Sequence, residues 1–182
     1  MIATRATIAA IAATLLSAGS PALASPKVDW DQVENIKKAA TQIGQLQRRQ
    51  GATKAFELIV ACYKTHGAAS KYSRFFESCI AQDYMHTQTL AALYARMSPA
   101  ALKKAGAPSP KMLADAMGQR VAGAFSKYEV PVTEANAFKK LVDKHGFPIY
   151  AKIMFGKPKK GGQAKPDDPS TGGDTNDSEP NQ

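Results

Sequence analysis

Cys62 and Cys79 are the only two cysteines of this 182-residue chain, and no other pair of residues restricts its fold so tightly. Each sits inside a helical pattern. Phe56, Ile59, Val60 and Tyr63 recur at three or four residues around the first. Phe76, Cys79, Ile80, Asp83, His86, Leu90, Leu93 and Met97 carry the same spacing through the second. A disulfide between two antiparallel helices requires the turn to lie midway between the cysteines. That predicts a loop from Gly67 to Tyr72, Ser73 as N-cap and a helix over about 74–97. A tighter turn capped at Ser70 leaves the sulfurs about one helical turn out of register, beyond disulfide reach. In the chain-entropy picture, closing this loop stabilises the fold by about 3 kcal/mol.

Oxidation of the pair depends on the compartment. Arg5, the apolar run from Ile8 to Leu16 and the small residues Ala22-Leu23-Ala24 follow the order of a secretory signal peptide over residues 1–24. The run is too short to span a bilayer, and no later segment approaches the ~20 apolar residues of a membrane helix. Ser25 follows the expected cut, where a lipid-anchored bacterial protein carries Cys. The expectation is an exported chain, periplasmic or secreted, in which the two cysteines bond. The competing reading is a metal site, with Cys62 and His66 on one helix face and Cys79, Asp83 and His86 on the next. Its spacing matches no zinc finger or ribbon, so no metal or other cofactor is expected.

The remaining pattern is helical throughout. Asp29 caps a helix from Trp30, whose seam runs Val33, Ile36, Ala40, Ile43 and Leu46 to a stop at Gly51. A second helix starts at Thr53 and buries Phe56, Ile59 and Val60. Ser98-Pro99 and Ser109-Pro110 each open a helix as cap plus first-turn proline. In the second of these, Gly118, Ala122 and Gly123 leave room for a close neighbour. Thr133 caps another helix, ending at His145-Gly146. Residues 147–155 read as a last short helix, although Ile149 and Tyr150 also suit a strand. The fold class expected is all-α: a small single-domain bundle of about six helices over residues 25–156, stapled by one disulfide. Residues 157–182 are Gly, Pro, Asp and Ser with almost no apolar side chain, and read as a disordered acidic tail.

Charge is distributed unevenly. Residues 25–160 hold 22 Lys and Arg against 10 Asp and Glu, whereas residues 161–182 hold one Lys against five acidic residues. A basic body suggests attraction to anionic partners with the tail as competitor; the alternative is that scattered lysines only keep a helical surface solvated, since no run of five basic residues occurs in the folded part.

Asp83 and His86 are the polar interruptions of the apolar stripe. Three residues apart on a helix, they are close enough to touch. They form the candidate functional pair, an acid and base with the carboxylate orienting the imidazole. The structural alternative is a buried pair satisfying each other, or joined to Tyr63 or Tyr94. No G-x-S-x-G elbow, phosphate loop, H-E-x-x-H pair, dinucleotide fingerprint or haem-attachment motif accompanies them. The methionines are dispersed at helical spacing, as core residues are.

Cys79, Asp83, Leu90 and Tyr94 resemble, in their order, cysteine-bonded helical domains of the periplasmic lysozyme-inhibitor type. Ala91 stands where such domains often carry Asn, and a basic body would be repelled by a basic lysozyme. The function expected is therefore a non-catalytic exported binding protein. Its partner is an envelope protein or an anionic envelope component, with no specific nucleic acid and no transmembrane segment. The alternatives are an immunity or inhibitor protein acting on a cell-wall enzyme, and an enzyme built on Asp83 and His86.

Overall fold

The structure, a computed structural model, describes residues 28–156. The expected signal peptide (1–24) and acidic tail (157–182) lie outside the described residues. Every element within them is helical: α1 (Gln32–His66), α2 (Arg74–Tyr94), α3 (Pro99–Lys104), α4 (Pro110–Lys127), α5 (Val132–Leu141), a π turn (Val142–Gly146) and α6 (Phe147–Phe155). Among the described residues there is no strand, and 147–155 is helix. No described helix is long and apolar enough to cross a membrane. Counted as uninterrupted runs of helical assignment the elements number five rather than about six. α1 passes through Gly51 as one element, and α5, the π turn and α6 follow one another without a break.

Inside α1 the chain nevertheless reverses at Gly51. Asn35 meets Ser78, Gln42 meets Gln82, and Gln47 meets His86, so residues 32–50 run alongside α2 in the same direction. Cys62 bonds Cys79 and Tyr63 reaches Asp83, so residues 52–66 return antiparallel to it. The two arms thus both lie on α2, hinged at a glycine with φ 87° and ψ 173°. That backbone region is closed to L side chains. A Cβ at Gly51 would touch nothing within 4 Å, so the whole penalty of a side chain there is backbone strain. Gly51→Ala is expected to lower stability by about 1–3 kcal/mol in urea denaturation. A variant as stable as wild type would show that the reversal tolerates another backbone conformation.

The disulfide register holds. Cys62 and Cys79 are bonded with Cα atoms 5.6 Å apart. α2 begins at Arg74, with the Ser73 hydroxyl accepting from the Phe76 N–H at 3.2 Å. Protein recovered from an oxidising compartment should show no free thiol when denatured, and reductant should lower its melting temperature. Two titratable thiols in that material would sink the pairing.

The core gathers Ile36, Ala40 and Ile43 from the first arm, Ile59 from the second, and Cys79, Ile80 and Met85 from α2. Val121 and Phe125 of α4 join it, as do Phe138, Val142 and Tyr150 of the last rod. Several expectations change here. α1 starts at Gln32 under Asp31, whose carboxylate accepts from the Glu34 N–H, and Trp30 lies before the helix. α2 stops at Tyr94, so Leu93 and Met97 at the end of the stripe are exposed. α5 begins one residue before Thr133, with no side-chain cap.

Phe56 and Val60, expected inside, are 41% and 49% exposed. The row that meets α2 is Ala55, Ile59 and Cys62, and Phe56 and Val60 each lie one residue round the helix from it, about 100° away. Nor do Gly118 and Gly123 admit a close neighbour, since a Cβ at either would meet nothing within 4 Å. Close approach occurs elsewhere. A Cβ at Gly44 would lie 3.3 Å from Tyr150 and Ile153, and one at Gly146 2.8 Å from Met85 Sδ. These two glycines let the final rod press onto α1 and α2.

Candidate functional site

Asp83 projects from the middle of α2 and is fully buried. Its carboxylate accepts four hydrogen bonds. Arg120 of α4 gives two, Nε to Oδ2 at 2.9 Å and Nη2 to Oδ1 at 2.7 Å. The Thr87 hydroxyl donates to Oδ1 at 2.9 Å, one helical turn on, and the Tyr63 hydroxyl to Oδ2 at 3.3 Å. This is a bidentate guanidinium–carboxylate fork with its remaining lone pairs filled. The bond to Asp83 holds the Arg120 pKa above its ordinary value against the opposing effect of burial. Burial, then the nearby Asp83 charge, pushes the Tyr63 phenol well up. The guanidinium also lies over the Phe56 ring, its carbon 5.6 Å from the ring centre.

His86 is 1% exposed and faces a different set of residues. Its Nδ1 lies 2.8 Å from Gln47 Oε1, and the Tyr150 hydroxyl donates to the same oxygen. With the Gln47 amide in this orientation its oxygen accepts, Nδ1 carries the proton and Nε2 is a bare acceptor. Nε2 has no partner among the described residues. Phe56 stacks beside the imidazole, with ring centres 6.3 Å apart and planes 23° from parallel. Burial lowers the His86 pKa to about 4, with Asp83 pulling the other way and Arg120 adding to the fall. The imidazole is therefore neutral at pH 7.

The expected contact between Asp83 and His86 does not form. Neither makes a hydrogen bond to the other. On a helix, side chains three apart diverge by about 60°, which turns Asp83 toward α4 and His86 toward the first arm of α1 and α6. Each finds a better partner across that interface. Of the two tyrosines considered, Tyr63 joins Asp83 and Tyr94 does not.

A second buried carboxylate escaped the sequence reading. Glu77, in the first turn of α2, is fully buried and accepts from three neutral donors. Trp30 Nε1 and Asn35 Nδ2 reach Oε1 at 2.9 and 3.0 Å, and Gln32 Nε2 reaches Oε2 at 2.7 Å. Burial raises its pKa, opposed by these bonds. The one signal available was Trp30, whose indole N–H beside a helix start requires an acceptor. Glu77 supplies it and so ties the entry of α1 to the entry of α2.

The alternative metal reading loses its ligands. Both sulfurs are spent in the disulfide, and no group of three or more His, Cys, Asp or Glu gathers among the described residues. Two of the open grooves among the described residues border α2. One, of about 680 Å³, is apolar and runs between α2, α4 and α5 along Met117, Val121, Phe125, Val130 and Ala135. The other, of about 570 Å³, is lined chiefly by residues with polar side chains and lies where the arms of α1 flank α2. No family model, no curated protein and no solved structure matches the chain.

Proposed function

We propose that the protein works by binding, as an exported, disulfide-stapled helical module whose partner is an anionic component of the cell envelope. The observation that carries this reading is the disposition of its charged groups. Asp83 and Glu77 are sealed inside, each consumed by internal donors, and His86 is buried and neutral. The candidate acid–base pair Asp83 and His86 is thus not presented to a substrate. The described surface is instead dominated by cations. Residues 28–156 contain 18 Lys and Arg against 10 Asp and Glu, and two of those ten are the buried pair. Such an excess draws anionic surfaces and polymers through long-range attraction.

The test is co-sedimentation of the mature chain with anionic and with neutral envelope polymers over a salt series. Retention on the anionic polymer alone, falling steeply between low and physiological salt, is expected. Equal retention on both, or none on either, would reject the reading.

A further inference from the structure

The groove where the arms of α1 flank α2 has the side chains of a built site. Its volume of about 570 Å³ suits a small ligand. No carboxylate lines it. Glu77 stands behind Asn35, with its oxygens already occupied by Trp30, Gln32 and Asn35. Lys38 on the first arm and Arg74 on α2 line the groove, are exposed, and have no described carboxylate within ion-pair distance. On the rim Phe75 is 53% exposed, held by His66 stacked 5.3 Å away and by the Arg74 guanidinium at 4.9 Å.

An independent observation comes from Gln82, which lines the same groove yet is only 2% exposed. Its Nε2 donates to Gln42 Oε1 at 2.9 Å, while its Oε1 has no partner. Reversing this amide together with that of Gln42 would leave an N–H unpartnered instead, so one buried polar atom of Gln82 is unpaired in either orientation. A hydroxyl both donates and accepts, and answers either case.

We infer that this groove binds an acidic sugar unit, a uronic-acid residue of an envelope polysaccharide. Lys38 and Arg74 draw its carboxylate, Gln82 takes one hydroxyl, and the sugar's C–H groups pack against the exposed edge of Phe75, whose ring His66 and Arg74 hold in place. The inference rests on the binding reading above and adds the site and the ligand class to it.

The test titrates the full mature chain with trigalacturonate, with its methyl ester and with inorganic phosphate, followed by calorimetry. Trigalacturonate should bind, and its uncharged ester about tenfold more weakly. Lys38→Gln and Arg74→Gln, both at exposed positions, should each weaken the acid about tenfold without changing thermal stability. Gln82→Met should weaken it about fivefold while leaving phosphate binding unchanged. Unaltered affinity in all three variants would overturn the groove assignment while leaving the anionic-binding reading in place. Phosphate binding as tightly as trigalacturonate would overturn the sugar class. If trigalacturonate and every anionic envelope polymer failed to bind, both inferences would fall together.

Discussion

Arg120→Met should cost the protein about 3–5 kcal/mol, the largest loss expected from any single substitution. Methionine keeps the apolar stem as far as about the Nε position, so the packing removed is chiefly that of the guanidinium on the Phe56 ring. What is lost is both halves of the fork on Asp83, leaving a fully buried carboxylate with only the Thr87 and Tyr63 hydroxyls. Taking a charge out of water is costly, and the cost stands once the opposite charge is gone. The reverse change is milder. Arg120 has a side chain one-third exposed, so after Asp83→Asn its guanidinium reaches solvent without rebuilding the core. Asp83→Asn should therefore cost less than Arg120→Met, and the double variant less than the sum of the two. Urea denaturation of the three proteins reads this directly. An Arg120→Met protein within 1 kcal/mol of wild type would show that the fork does not hold the core.

What was legible in the sequence and what was not divides along a physical line. The cysteine spacing, the serine caps and the Ser-Pro helix starts are local, and each appears where local geometry requires it. The reversal at Gly51 is of the same kind. Thr87 apart, the partners that decide the roles of Asp83, His86 and Glu77 are not local: Arg120, Gln47 and Trp30 lie 37, 39 and 47 residues away. Helical spacing shows that Asp83 and His86 neighbour each other, yet not that stronger donors and acceptors wait across two different interfaces. Arg120 is invisible for a related reason. It precedes the seam residue Val121 and reads as an ordinary solvated cation, because nothing in α4 itself shows a buried carboxylate opposite. Phe56 and Val60 failed through the one-way character of hydrophobic burial, since apolar residues are also common on surfaces. Where two apolar rows run side by side on a short arm, periodicity cannot choose between them.

His86 gives the fold a defined acid sensitivity. The unfolded imidazole takes up a proton near pH 6.5, whereas in the folded protein burial delays this to about pH 4. Between those values the unfolded state holds more protons, so stability rises with pH across the window and is lost as pH falls through it. Going from pH 7.5 to pH 4 should remove about 3 kcal/mol through this one residue. Glu77 acts with the opposite sign. Its raised pKa means that the folded state keeps its proton where the unfolded state has lost it, so acidification through that range favours the fold. The two are separated by comparing wild type with His86→Gln, whose amide N–H can still reach Gln47 Oε1. Glu77, the surface carboxylates, His66 and His145 are common to both proteins and cancel in the difference. At pH 7.5 the variant should be the less stable, having lost the stacked ring against Phe56. Its deficit should shrink on acidification and reverse before pH 4, because glutamine carries no proton-uptake penalty. Parallel stability curves for the two proteins across pH 4–7.5 would mean that His86 accepts its proton in place, and that its neutral pairing with Gln47 does not hold the arms of α1 and α6 together.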